Sequence, residues 1–189
     1  MNTHKRIFIG VLLTLCMVAA NQVWAGDKPN ILLIINDQHN GSIMTQRGYP
    51  YIETPAIDKL ADEGVTFTRA YTPYPICKAM RYSLMTGMMV SAVCPDCEKK
   101  FENVTSRKSL GMRMKEAGYQ TAYFGKWHVG QTGLNGVKDW HGFETYQDHG
   151  SSKGGDTYTR DSIIEYLQKP RSGKPLFMVA SFMNPHDSA

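Results

Sequence analysis

Lys28-Pro29-Asn30-Ile31-Leu32-Leu33-Ile34-Ile35-Asn36-Asp37-Gln38-His39 is the stretch that decides the fold. Residues 31–35 form an unbroken apolar run rich in β-branched side chains. Such a run predicts a strand buried on both faces, the kind that parallel sheets use. A carboxylate and an amide follow directly at its carboxyl end. In open α/β sheets that end is where ligands bind.

Downstream, strand and helix signals alternate. Thr54-Pro55 marks a helix start, with Thr as N-cap and Pro at the first position. Ile57, Leu60 and Ala61 share one face and Gly64 closes the helix. Val65, Phe67 and Tyr71 predict a strand. A proline-rich loop over 72–76 then delivers Cys77 to a second helix that ends at Gly87. Leu110, Met114 and Ala117 recur at i, i+4, i+7 before Gly118, predicting a third helix. Residues 119–124 read as the next strand and 130–155 as a glycine-rich aromatic loop. Residues 161–167 read as a helix, and 176–182 as a last strand. The alternation predicts an α/β layered fold with a mainly parallel sheet.

Upstream lies a different kind of segment. Lys5-Arg6 precedes an apolar run over 7–20, and Val23-Trp24-Ala25 offers small residues at the cleavage positions. This is the pattern of a secretory signal peptide, residues 1–25, followed by a domain over 26–189. The run is shorter than the roughly 20 apolar residues that span a bilayer, so no stable membrane anchor is expected after cleavage. The destination is periplasmic or secreted. There, Cys94-Pro95-Asp96-Cys97 reads as a local disulfide in preference to half of a zinc site or a redox motif, which leaves Cys77 unpartnered.

The whole chain has 189 residues, 42% of them hydrophobic and 20% charged, which excludes a disordered polymer. Its net charge of +4 falls by two when Lys5 and Arg6 leave with the signal segment. So weak a balance gives no basis for a nucleic-acid partner.

The residues capable of chemistry converge on the strand ends. Asp37-Gln38 follows the first strand. Gly125-Lys126-Trp127-His128 follows the one over 119–124, and Lys126 and His128, two apart in an extended segment, face one side. Asn184-Pro185-His186-Asp187 ends the last. Cys77 joins them if it opens its helix, where free backbone N–H groups favour an anion or a thiolate. Arg81, four residues on, shares its helical face. Taken singly, Asp37 reads as well as a turn residue, Lys126 as a surface charge, the histidines as structural and Cys77 as a buried thiol. Together they suit a tetrahedral oxyanion beside a hard metal ion.

In order along the chain, these motifs resemble the sulfatases of the alkaline-phosphatase-like superfamily. The resemblance is carried by 28–34 with Asp37-Gln38, by Thr54-Pro55-Ala56-Ile57-Asp58-Lys59-Leu60-Ala61, and by Glu63-Gly64-Val65-Thr66-Phe67. It continues through Cys77-Lys78-Ala79-Met80-Arg81 with Leu84-Met85-Thr86-Gly87, then Gly118-Tyr119-Gln120-Thr121-Ala122, Gly125-Lys126-Trp127-His128-Val129-Gly130, and residues 182–187. It implies a three-layer α/β/α fold, incomplete at the carboxyl end. It also implies oxidation of Cys77 to formylglycine by a sulfatase-maturating enzyme. One hydroxyl of the hydrated aldehyde would attack sulfur, and the other would lose its proton to expel sulfate. Asp37, Gln38 and residue 77 would hold calcium, or magnesium in its place. Arg81 and Lys126 would neutralise developing charge, Lys126 also binding substrate. His128 would handle the diol proton, and His186 would bind sulfate or protonate the leaving alcohol.

The chain departs from the family pattern in three ways. Ala79-Met80 stands where Pro-Ser is usual, and Asp37-Gln38 where Asp-Asp is frequent. The Asp-Gln pair occurs in choline-sulfatase-like and phosphonate-monoesterase-like relatives. The family's second metal-binding pair and a further lysine fall beyond Ala189, so the chain is expected to be an N-terminal portion, inactive alone. The resemblance implies a sulfated small molecule or glycan as substrate. The alternatives are a phosphonate monoester or phosphodiester hydrolase on the same site, and a truncated product that only binds anions. Trp127, Trp140 and Tyr146 are candidates to stack on a sugar ring or, equally, packing residues.

Overall fold

The computed structural model describes residues 28–93, 107–129, 140–149 and 155–186. The expected signal peptide, residues 1–25, and the Cys94/Cys97 pair lie outside them. The chain divides into a leading unit, Met1–Asn30, and a compact unit, Ile31–Ala189, to which every element below belongs.

Four strands form one parallel sheet: β1 (Ile31–Asp37), β2 (Gln120–Gly125), β3 (Thr145–Asp148) and β4 (Leu176–Pro185), in the spatial order β1-β4-β2-β3. The helices are α1 (Pro55–Glu63), α2 (Cys77–Thr86), α3 (Val90–Val93), α4 (Leu110–Glu116) and α5 (Gly155–Gln168), with a 3-10 turn at Thr45–Arg47. β2 is buried along nearly its whole length, and β4 over its first six residues, because helices cover both faces there. On one face Tyr123, Phe177 and Val179 meet Ala79, Tyr82 and Met85 of α2. On the other, Ala122, Phe124, Leu176 and Met178 meet Ile163 and Tyr166 of α5. Two separate cores on opposite faces make the layered arrangement that the alternation of elements predicts, with the three layers that the family resemblance implies. Among the described residues no helix is long and apolar enough to cross a membrane.

The structure corrects several expectations. β1 is not buried on both faces: Leu33 and Ile35 pack on the core, while Leu32 and Ile34 are 56% and 49% exposed. It sits at the sheet edge, and its second face lacks cover among the described residues. Residues 65–71 form no strand, and Val65, Phe67 and Tyr71 are each about four-fifths exposed. Alternating apolar residues need a ladder partner to become a strand, and none lies alongside among the described residues. Conversely, β3 arises within the expected loop. It is short and polar, so its periodicity is silent. Its edge position is fixed instead by Glu144, which exchanges hydrogen bonds with Thr121 of β2. α5 begins at Gly155, six residues earlier than the apolar spacing indicates.

Gly125, the last residue of β2, has φ +99, and a Cβ there would collide with the carbonyl oxygen of Ser181. The close approach lets the Lys126 amide donate to that same oxygen at 2.9 Å. Gly125→Ala is expected to lose well over about 1 kcal/mol, since the positive φ alone costs that much before the collision is counted. Urea denaturation of the variant beside wild type reads this directly.

Candidate active site

Because the strands run parallel, the carboxyl ends of β1, β4 and β2 lie side by side at one edge of the sheet. The β1–β4 register slips between Asn36 and Asp37, an irregularity of the kind that re-aims a side chain next to a site. Asp37 is only 6% exposed, and its Oδ2 accepts from Lys126 Nζ at 2.5 Å and Arg81 Nη2 at 3.3 Å. Burial alone would raise the Asp37 pKa. The hydrogen bond and charge of Lys126, followed by those of Arg81, outweigh it and hold the carboxyl below the usual range.

Arg81 reaches this cluster from α2 and is fully buried. Its Nη1 donates to the Lys126 carbonyl oxygen at 2.7 Å and to Ser181 Oγ at 2.8 Å. In the structure the guanidinium therefore sits beneath the cleft, bonded to protein groups.

Cys77 is the first residue of α2, as the sequence predicts. Ile76, its N-cap, is extended and supplies no capping side chain. The helix thus begins with backbone N–H groups that no cap satisfies, an environment that favours negative charge. Cys77 Sγ lies 3.3 Å from His128 Nδ1. His128 does not follow an extended segment, contrary to expectation: its φ is +51, and Gln38, across the site, has φ +57. Left-handed conformations at non-glycine residues cost about 1 kcal/mol or more and cluster at functional sites. Lys126 and His128 still converge, but through a turn. Burial and the charges of Lys126, Arg81 and Lys78 hold the His128 pKa below its ordinary value, against the pull of Asp37. The imidazole is thus neutral near pH 7 and able to take a proton.

An open cleft collects Asp37, Gln38, Cys77 and His186 in one lining, together with His39 and Met80. Of the seven residues expected at the site, these four line the cleft. Arg81 and Lys126 meet it through Asp37, and His128 through Cys77. Trp127 and Trp140 are buried and join Tyr146 and Phe143 in the aromatic core; Trp127 stands edge-on to Tyr123 and Tyr146 at 5.0 and 5.6 Å. The packing alternative holds for these rings, and none lines the cleft.

Asp37 and Gln38 offer two hard oxygens, which suits calcium or magnesium in kind. They do not suffice in number. Calcium takes six to eight oxygens, roughly; among the described residues no group of three His, Cys, Asp or Glu gathers to hold an ion. The one carboxylate is already shared by two cations. A micromolar site would stabilise the chain by about 4 kcal/mol at millimolar calcium, whereas we expect less than about 1 kcal/mol. Thermal unfolding across a calcium titration measures the difference.

Three residues at the site went unnoticed in the sequence. Tyr123 and Ser181 bond to the Lys126 carbonyl, and their signal was a hydroxyl inside each buried strand. Asp156, near the start of α5, accepts from the amides of Met183 and Asn184 and from Asn184 Nδ2, and so ties down the strand end leading to His186. It lay between the expected loop over 130–155 and the expected helix over 161–167, without any signal.

Burial pushes the Tyr123 phenol up to about 12, against the opposing charge of Arg81. A pKa raised on folding contributes stability that is whole below the unfolded value of 10.0 and is lost as pH rises through the folded one. Stability should therefore fall between pH 10 and about 12, and less steeply in Tyr123→Phe. Unfolding midpoints of both proteins over that range test it.

The sulfatase family profile matches residues 29–189. The chain belongs to the sulfatase family. It is 31% identical over 187 residues to an ulvan-active sulfatase of Formosa agariphila, covering 84% of this sulfatase chain and 36% of that relative. The fold matches the crystal structure of PsFucS1 sulfatase from Pseudoalteromonas at a TM-score of 0.70 and 23% identity, covering 94% of this chain and 47% of that one. It matches BT4656, solved in complex with its substrate D-glucosamine-2-N,6-O-disulfate, at 0.70 and 24%, covering 85% and 35%. This sulfatase chain thus spans little more than a third of the length of the curated relative.

Proposed function

We propose that residues 26–189 are the nucleophile-bearing N-terminal portion of an exported sulfatase that hydrolyses sulfate monoesters on a glycan. In this reading residues 1–25 are the signal peptide, and a maturating enzyme oxidises Cys77 to formylglycine. The observation that carries the proposal is the pairing of Cys77 with His128 at the start of α2, beside the Asp37–Lys126–Arg81 cluster. The glycan assignment is supported by the relative named for ulvan and by the similar fold holding a glucosamine disulfate.

Formylglycine supplies a hydrated aldehyde with one hydroxyl to attack and another to release the product. A divalent cation held in part by Asp37 and Gln38 supplies positive charge beside the sulfate. The chain's own residues do the rest. Neutral His128 accepts the proton of the residue-77 side chain at Nδ1 and holds it. Lys126 places its ammonium at the base of the cleft, toward the charge that develops in the transition state. Asp37 offsets the ammonium charge, and Arg81 steadies both. His186, on the cleft lining, binds sulfate or returns a proton to the leaving alcohol.

Coexpression with a sulfatase-maturating enzyme, followed by peptide mass spectrometry, is expected to find an aldehyde at residue 77. A wholly unmodified thiol would overturn the formylglycine mechanism. The Asp37-Gln38 pair, with one carboxylate in place of two, also favours a second reading as a phosphonate monoester or phosphodiester hydrolase. Parallel assays on sulfated glycan and aryl phosphonate ester separate the two, and faster phosphonate turnover would reverse the assignment.

A further inference from the structure

The Lys126 carbonyl oxygen accepts three hydrogen bonds: from Tyr123 Oη at 2.5 Å, Arg81 Nη1 at 2.7 Å and Ser181 Oγ at 2.8 Å. The Lys126 amide donates to the Ser181 carbonyl oxygen at 2.9 Å. Both backbone groups of this one residue are thus pinned just past the end of β2, where no ladder continues. Tyr123, Ser181 and Arg81 are each 0% exposed.

The direction of these bonds follows from the chemistry. A guanidinium only donates, and each hydroxyl has a single proton. Arg81 Nη1 lies 2.8 Å from Ser181 Oγ and 3.4 Å from Tyr123 Oη and can accept from neither; its two protons serve the Lys126 carbonyl and Ser181 Oγ, the long contact to Tyr123 Oη being at most a shared one. The protons of the two hydroxyls then go to the carbonyl. Meanwhile Arg81 Nη2 is on Asp37, as is Lys126 Nζ. One cluster fixes the lysine at its backbone and also fixes the carboxylate that receives its ammonium.

We propose that Tyr123 and Ser181 are positioning residues of the site: they clamp the Lys126 backbone so that its ammonium is held at the base of the cleft. This rests on the sulfatase reading for its catalytic consequence, though the clamp itself does not. A lysine side chain carries about 2 kcal/mol of rotamer entropy. Anchoring its backbone removes part of the search before substrate arrives.

The test has one arm without catalysis and one with it. Tyr123→Phe keeps the ring in the aromatic cluster and removes only the hydroxyl. Ser181→Ala removes the other. In each folded variant, acetylation of Lys126 by acetic anhydride, read by peptide mass spectrometry, is expected to quicken about threefold to tenfold, the effect of one buried hydrogen bond. Lys59 and Lys169, whose side chains are 73% and 64% exposed, serve as internal standards that should not change. Should Tyr123→Phe fail to fold, Ser181→Ala is read in the same way. In the complete enzyme kcat for a sulfate ester should fall by a similar factor while KM holds, because the charge that Lys126 meets develops in the transition state. Wild-type labelling of Lys126 in a folded variant would overturn the clamp. Faster labelling with unchanged kcat would overturn its role in positioning. A wild-type enzyme inert toward sulfate esters would sink the sulfatase reading, and the labelling arm would still decide the clamp.

Discussion

Asp37→Asn is expected to cost about 3–5 kcal/mol of folding free energy, the range for removing one partner of a buried charge cluster. The substitution keeps the shape, deletes the charge and turns one of the two acceptor oxygens into an NH2 donor. Arg81 is fully buried and Lys126 is 8% exposed, and the same Asp37 oxygen serves both. Without that carboxylate two cations face each other in a region poor in water. Neither can turn outward, because Arg81 is held in α2 and the Lys126 backbone is pinned. A second substitution shows whether charge is the cause. In Asp37→Asn with Lys126→Met one of the stranded cations is gone, so part of the loss should return. Urea unfolding of the wild type, the two single variants and the double variant closes the cycle. A loss under about 1 kcal/mol for Asp37→Asn, the worth of an exposed pair, would sink the argument.

The same carboxylate gives an acid limb of known sign. Its pKa is lower in the folded chain than its ordinary value of 3.8. A depressed pKa contributes stability that is present above the unfolded value and is lost as pH falls through the folded one. Wild type should therefore lose stability below about pH 4, and Asp37→Asn should lose less over the same range.

The site was more legible in the sequence than the sheet that carries it. Asp37, Lys126 and His186 stood out because each follows an apolar run, and a parallel sheet sends all such ends to one edge. Cys77 and Arg81 stood out because i and i+4 share a helical face. Periodicity reports that a residue seeks burial; it does not say which neighbour supplies the cover. For this reason residues 31–35 read as fully buried although Leu32 and Ile34 are exposed, and 65–71 read as a strand that the described residues do not pair. The reverse failure is β3, whose Thr-Tyr-Gln-Asp carries no pattern because an edge strand needs none. Arg81 shows a subtler limit. Its place beside the site was legible, but its burial under the cleft depends on Ser181, a hundred residues away in sequence. Trp127 is the same lesson in reverse: a motif residue flanked by two site residues, yet turned into the core.

Cys77→Ala in the matured, complete enzyme is expected to lower kcat by about 10^4- to 10^6-fold, the scale on which hydrolases lose turnover with their nucleophile. His128→Gln should lose less, about 10^2- to 10^4-fold, as for a general base whose nucleophile remains. The difference follows from the geometry, since His128 approaches the reacting centre through residue 77 at 3.3 Å and does not line the cleft. Glutamine retains a polar side chain of similar reach, so the positive backbone φ and the packing around it carry over better than with alanine. Both variants need a stability measurement beside the rates, because His128 lies on the turn that also presents Lys126. Their combination is the sharper test. If the imidazole acts only by taking a proton from the residue-77 side chain, it has nothing to do once that side chain is gone. The double variant should then be no slower than Cys77→Ala alone. Multiplying losses would mean that His128 acts on the substrate directly, and its role would have to be exchanged with that of His186.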